Sequence, residues 1–126
     1  MKFLISPLDE NQFRVDPKSF VEQLRAKWMD AEVREIKDAV DPYLLEWILP
    51  IGYRIDGALH RSLTTISLEG SLEDCAIFAV WYRTFVPSKY GLLFFDQGYH
   101  GHVNLHNETT EQQLIDAFMA ENPSSE

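Results

Sequence analysis

The chain has few of the cysteines that stabilise small folds and no long apolar run of the kind that spans a membrane. Cys75 is its one cysteine, so it can form no internal disulfide and no cluster of thiolates to hold zinc or an iron–sulfur centre. The longest apolar run, Cys75 to Tyr82, has eight residues, whereas a membrane span needs about 20. The apolar stretch at the N-terminus ends at Pro7, too early for a signal peptide. We therefore expect a cytoplasmic protein, from a bacterium.

Positive charge is also scarce. Eleven Lys and Arg stand against 20 Asp and Glu, a formal charge of −9. No Lys or Arg follows Lys89, whereas six acids do: Asp96, Glu108, Glu111, Asp116, Glu121 and Glu126. Such a charge repels nucleic-acid phosphates and anionic lipids, so we expect neither a nucleic-acid nor a membrane partner. It would attract a basic protein partner to the C-terminal end, although an acidic surface also serves solubility alone.

What the chain does contain is the material for one core. It is 45% hydrophobic and 25% charged over 126 residues, with eight Phe, five Tyr and three Trp. A chain of this length and composition folds as one domain without staples. We predict a single domain over residues 1–121 and a disordered tail over residues 122–126. We predict an α+β fold class, with an antiparallel sheet of about five or six strands packed with about three helices.

Capping signals predict where the helices begin, because a Ser, Thr or Asp side chain can accept a hydrogen bond from the free amides of the first turn. The predicted starts are Asp16-Pro17, Ser71-Leu72 and Thr110 paired with Gln113. The second helix, residues 72–86, has eleven apolar residues among fifteen. It must therefore lie between the sheet and other helices, or pack its outer face on a second subunit.

Short apolar or alternating segments predict the strands. We expect edge strands at residues 2–5 and 31–36, and a strand at residues 12–15 that pairs with residues 2–5. We also predict a strand at residues 43–49, for which a short helix is the alternative. Asp56-Gly57 is predicted as the turn of a first hairpin. The second hairpin spans residues 91–105 with a three-residue loop, Asp96 to Gly98, in which Gly98 is left-handed. This register places Phe95, Tyr99 and Val103 on one face and Phe94, His100 and His102 on the other.

Three histidines form the best lead to a catalytic site. His100, His102 and His106 fall within seven residues, and two imidazoles two residues apart on a strand can share a divalent metal. No established metal or catalytic motif accompanies them, so solvent-facing histidines explain the same spacing. A small metal-dependent or His-using enzyme centred on His100 and His102 is thus the alternative function, and no other cofactor is expected.

Residue types that dominate protein interfaces occur on the second helix. Trp81, Tyr82 and Arg83 are candidates for a subunit interface, in a homodimer, because that helix is too apolar to be buried on one side only. Burial inside the fold is the alternative. Cys75 is expected to be a small buried hydrophobe, and Glu73 and Asp74 to interact with the positive end of the helix dipole.

The C-terminal third resembles small acidic bacterial proteins, including some immunity proteins of toxin systems. The likeness lies in Gly91-Leu92-Leu93-Phe94-Phe95-Asp96, a second short strand, and the helix that opens with Thr109-Thr110-Glu111. It covers about a quarter of the chain and transfers no functional residue. It implies a non-enzymatic protein that binds and blocks a partner, often a basic one, and this protein-binding or inhibitory role is the function we expect.

Overall fold

Seven strands pair into one antiparallel sheet. The computed structural model describes residues 1–8 and 13–121, which fold in the order β1 (Lys2–Pro7), α1 (Pro17–Lys27), β2 (Glu32–Glu35), β3 (Tyr43–Leu49), β4 (Ile55–His60), β5 (Ile66–Glu69), α2 (Leu72–Phe85), β6 (Leu92–Asp96), β7 (His102–Leu105) and α3 (Glu111–Glu121). The sheet order is β2-β3-β4-β5-β1-β6-β7, and every pairing is antiparallel. The predicted α+β class with three helices is confirmed, and the strand number is slightly higher than expected.

The position of β1 differs from the prediction. It was expected at an edge, but it lies between β5 and β6 and pairs with both. Both sides of β1 are occupied because the hairpins on either side of α2 each supply it with a neighbour. The weak strand β2 is at an edge, as predicted, and residues 43–49 form a strand rather than a helix.

All three helices cover the same face of the sheet. Phe20 of α1 and Phe78 of α2 pack on Trp47 of β3, with ring centroids 5.0 and 5.9 Å apart. Phe118 of α3 packs on Phe3 of β1 at 5.6 Å. Cross-strand partners lie on one face of a sheet, and Phe3 connects to Trp47 through Leu68 and Gly57. The core therefore lies between this face and the helices, and the described helices leave the other face open.

The helix starts follow the predicted capping. The Asp16 side chain accepts from the Ser19 amide at 3.3 Å, and the Ser71 hydroxyl accepts from the Asp74 amide at 3.1 Å. The Thr110 amide donates to Gln113 Oε1 and the Gln113 amide to Thr110 Oγ1, at 3.0 and 3.1 Å, which completes a reciprocal capping box. These three signals work because a cap acts within one turn of its own helix.

The predicted turn at Asp56-Gly57 is wrong, because both residues lie inside β4. The turn comes earlier, where Gly52 adopts a φ of +55°. Gly57 serves close packing instead: a methyl group there would collide with the indole ring of Trp47, its cross-strand partner. Glycine is therefore required at position 57 because it has no side chain, and not because of its backbone flexibility.

The predicted register of the second hairpin is also wrong. The structure pairs Phe95 with His102 and Phe94 with Val103, so His102 shares a face with Phe95. Gly98 does not take the left-handed conformation; Tyr99 does, with a φ of 55°. The turn is longer than expected, and the register shift of an odd number of residues moves every side chain of β7 to the opposite face.

Two predictions concern the parts of the chain at the limits of the described residues. Of the expected strand 12–15, residue 12 lies outside the description, and Phe13 to Val15 form no strand. The expected tail, residues 122–126, lies outside it as well.

Among the described helices, none combines the length and apolar character that a membrane crossing requires.

Candidate functional site: the uncovered face of the sheet

Two rows of cross-strand partners define the open face. One row runs Glu32, Ile48, Asp56, Glu69, Lys2, and the next runs Arg34, Glu46, Ala58, Ser67, Leu4, Phe95, His102. Most charged side chains of the face thus lie on β2 to β5, with Lys2 at the start of β1, whereas Leu4, Leu93 and Phe95 form an apolar part on β1 and β6. No described helix covers either part, so we take this face as the candidate binding surface.

A groove of about 610 Å³ runs over the charged part. Ala58 and Ser67 form its floor, because small side chains lie below their longer neighbours; only 8% and 4% of them is exposed. Arg34 binds Glu46 across β2 and β3, and Arg54 Nε binds Asp56 Oδ1 at 2.8 Å. The hydrogen bond to Asp56, and then the carboxylate charges of Asp56 and Glu32, raise the pKa of Arg54. We call this region the charged groove.

His60 and Ser67 form a hydrogen bond of 2.8 Å beside the charged groove. Burial, and then the charge of Lys2, lower the pKa of His60, so the imidazole is neutral near pH 7. A neutral histidine next to a serine is one part of a hydrolytic centre. Among the described residues no carboxylate hydrogen-bonds His60, however, and the third group that orients the base of such a centre is missing.

The apolar part of the face carries an aromatic strip, which we define as Leu4, Leu93, Phe95, Tyr99 and His102. The ring of Tyr99 stacks on His102 at 5.2 Å and meets Phe95 edge-on at 5.5 Å. Tyr99 is 55% exposed, and the other four side chains are half-buried. Accessible aromatic side chains of this kind are frequent anchors of protein interfaces.

Asp96 organises the loop that follows β6. Its Oδ1 accepts from the Gly101 amide at 2.9 Å and its Oδ2 from His100 Nδ1 at 3.1 Å, while its carbonyl accepts from the Tyr99 amide at 2.8 Å. Burial raises the pKa of Asp96, but the hydrogen bonds from Gly101 and His100 outweigh burial and leave the pKa below its usual value. The carboxylate is therefore ionised and fixes the loop.

Comparison with protein-family models, with curated proteins and with solved structures found no match to this chain.

The three predicted histidines take different positions. His100 lies in the loop beside Asp96 with an exposed side chain, and β7 begins only at His102. His102 and His106 both line a second groove, of about 570 Å³, between β7 and α3. Among the described residues no three His, Cys, Asp or Glu side chains are grouped as a metal ion would require.

The predicted interface residues on α2 lie mostly inside the protein. Tyr82 is 1% and Arg83 3% exposed. The Arg83 guanidinium donates to the carbonyls of Tyr90, Val86 and Pro87 at 2.8 to 3.1 Å, and burial lowers its pKa. Only Trp81, half-buried and stacked on Phe85 at 5.9 Å, remains available to a second protein. The apolar circumference of α2 is explained by the sheet below it and by Phe20 of α1 and Trp28 just after α1, which pack on its aromatic side chains.

Other residues matter more than sequence reasoning indicated. Asp74, predicted to act on the helix dipole, is 8% exposed and also accepts from the Tyr53 amide at 3.2 Å, which ties α2 to the β3–β4 turn. Cys75 is a buried hydrophobe, as predicted, and burial raises the pKa of its thiol to about 12. The sequence indicated Asp96 and Tyr99 only weakly. The pattern was an acidic residue at the end of a strand, followed by an aromatic residue in the turn.

Proposed function

We propose that this protein is a non-enzymatic binding module that docks a basic protein partner on the uncovered face of its sheet. The observation that carries the proposal is the open face itself, on which the aromatic strip adjoins the charged groove. The resemblance to immunity proteins implies that docking blocks the partner's activity, and we adopt this inhibitory role as part of the proposal.

The two parts of the face have complementary tasks in this proposal. The aromatic strip offers half-buried apolar surface, whose removal from water stabilises a complex by roughly 25 cal/mol per Å². The charged groove offers ion pairs that set orientation and partner choice more than affinity. A face with both kinds of side chain is typical of a surface that is exposed in the free protein and covered in a complex.

The charge of the chain supports a basic partner. The formal charge is −9, and the part of the chain after Lys89 has no Lys or Arg, whereas Glu108, Glu111 and Asp116 lie on α3 or in the turn before it, next to the edge strand β7. Long-range attraction would steer a basic protein to this region and repel a second copy of the same chain. We therefore propose a heterologous partner on this face rather than a homodimer.

A pair of matched charge substitutions tests the proposal. Phe95→Lys places a cation in the aromatic strip, and Met29→Lys places the same cation on an 85% exposed residue that follows α1. The immobilised proteins are incubated with an extract of the native cells at about 50 mM salt, a Debye length of roughly 14 Å. The protein retained by the wild type is identified, purified and titrated against each variant.

We expect the dissociation constant to rise at least about tenfold for Phe95→Lys, a loss of roughly 1.4 kcal/mol, and to stay unchanged for Met29→Lys. Raising the salt concentration should weaken wild-type binding. Circular dichroism checks that both variants are folded. Retention of no protein at low salt, or equal binding by the Phe95→Lys variant, contradicts the proposal.

A further inference from the structure

Two residues other than glycine adopt the left-handed backbone conformation in the described chain: Leu63, with φ 67°, and Tyr99, with φ 55°. This conformation strains any residue with a Cβ atom. The strain at Leu63 is compensated, because its side chain packs against the core and its carbonyl accepts from the Val15 amide at 2.7 Å. Tyr99 is 55% exposed, so burial does not compensate its strain.

The loop also contains a glycine that does not take the strained position. Gly98 immediately precedes Tyr99 but keeps an ordinary φ, and a methyl group at Gly98 would collide with the His100 ring. The glycine thus makes room for the imidazole that bonds Asp96 at 3.1 Å. The consequence is a loop in which a tyrosine, and not a glycine, is left-handed.

We propose that the loop from Asp96 to Gly101 holds Tyr99 ready as the anchor of the binding surface, with Asp96 as its positioning residue, for a basic side chain of a folded partner protein. The inference rests on the proposed function and names the contact at its centre. Strained backbone persists where the surrounding structure enforces it, and it clusters at binding and catalytic sites.

The chemistry of the ring indicates what it receives. One face of Tyr99 stacks on His102, and the ring is more than half exposed. The face of a tyrosine ring attracts Arg and Lys side chains. The chain has no Lys or Arg after Lys89, and the cation–π contacts within the described residues use the rings of Tyr43, Trp28 and Tyr90 instead. A cation on the exposed face of Tyr99 would come from the partner.

Site-specific cross-linking separates this inference from the proposed function. A photoreactive phenylalanine is introduced in turn at Tyr99, at Ile48 in the charged groove, and at Met29 on the helix side. We expect adducts with one basic protein from positions 99 and 48 and none from position 29. Adducts from position 48 without any from 99 overturn the anchor and leave the proposed function standing. No adduct from either position overturns both.

Titration of the cross-linked partner then tests the roles of the two residues. Tyr99→Ala should raise the dissociation constant at least about tenfold, whereas Tyr53→Ala, which removes a 98% exposed tyrosine outside the face, should leave it unchanged. Asp96→Asn should weaken binding in the wild-type background and have no further effect in the Tyr99→Ala background, because a positioning residue acts through the residue it positions. Equal weakening in both backgrounds overturns the role of Asp96.

The free protein supplies a readout that does not depend on any partner. Tyr99→Gly relieves backbone strain, so we expect its urea midpoint to equal or exceed that of the wild type. Leu63→Gly removes a side chain packed against the core, and its midpoint should fall clearly. A fall for Tyr99→Gly as large as that for Leu63→Gly would show that Tyr99 holds the fold together, and would overturn the inference.

Discussion

The indole ring of Trp47 lies directly on the backbone of Gly57, the residue opposite it across β3 and β4, and leaves no room for a side chain there. The same ring packs on Phe20 of α1 and Phe78 of α2. Because Gly57 has no side chain, the Trp47 ring can lie close to the sheet, and α1 and α2 pack against that ring.

Gly57→Ala should therefore destabilise the protein by about 3 kcal/mol, since overpacking a tight core forces side chains and backbone apart. The effect is measured by urea unfolding of four proteins. They are the wild type, Gly57→Ala, Trp47→Phe and the double variant with both substitutions. We expect the double variant to lose less stability than the sum of the single losses, because a smaller ring leaves room for the methyl group. Strict additivity would show that the ring is not the obstacle.

Arg83 links the end of α2 to the following loop by donating to main-chain carbonyls of Val86, Pro87 and Tyr90. Arg83→Met should cost about 3 kcal/mol of the free energy of unfolding, because three carbonyls, of which that of Val86 is in a buried hydrogen bond, lose their donor. Arg25→Met, on the exposed side of α1, is the control and should stay within about 0.5 kcal/mol of the wild type. Similar midpoints for the two variants in urea unfolding would refute the structural role of Arg83.

Asp74 and its neighbour Glu73 both lie in the first turn of α2, but only Asp74 is buried and accepts the Tyr53 amide. Asp74→Ala should therefore cost about 1 to 2 kcal/mol more than Glu73→Ala, since it removes the acceptor of the Tyr53 amide, in a partly buried hydrogen bond, as well as a charge from the helix start. Thermal and urea unfolding of the two variants provide the comparison. Equal losses would mean that the helix dipole alone accounts for both residues.

The lowered pKa of Asp96 links the loop to acid stability. A carboxyl group whose pKa is lower in the folded state stabilises the fold above its unfolded pKa, about 3.9, and loses this contribution as pH falls through the folded pKa. The stability difference between wild type and Asp96→Asn should thus be largest above about pH 5 and shrink below about pH 4. Urea unfolding across this range measures it, and a difference that does not vary with pH would exclude the linkage.

His60 should have a pH dependence of the same direction in a higher range. Because its pKa is lowered in the folded state, the unfolded chain takes up a proton first, and folding loses stability as pH falls below about 6.5. His60→Gln cannot titrate, so the stability of the wild type relative to this variant should fall between about pH 7.5 and pH 5. A His60→Gln variant that keeps the wild-type pH dependence of stability would exclude this linkage.

The proposed binding surface was only partly predictable from the sequence. The acidic C-terminal third and the strand ending at Asp96 could be read from the residues, but the aromatic strip could not. Phe95 and His102 become neighbours only when β6 and β7 pair. This pairing is accompanied by hydrogen bonds that the amides of Gly101 and Tyr99 donate to Asp96 across the longer turn. Composition and local spacing contain no information on this register.

By itself the sequence determined the α+β class, the three helix starts and the weak edge strand β2, because each depends on interactions within a few residues. Asp16, Ser71 and Thr110 cap their own helices whatever the rest of the chain does. Tertiary structure alone decided that Asp56-Gly57 lies inside a strand, that β1 is central and that Tyr82 and Arg83 are buried. These features follow from the packing of Trp47 on Gly57, from the pairing of β1 with two hairpins and from the helices covering one face. Such contacts join residues far apart in the chain, and their energies exceed the local preferences that a sequence pattern records.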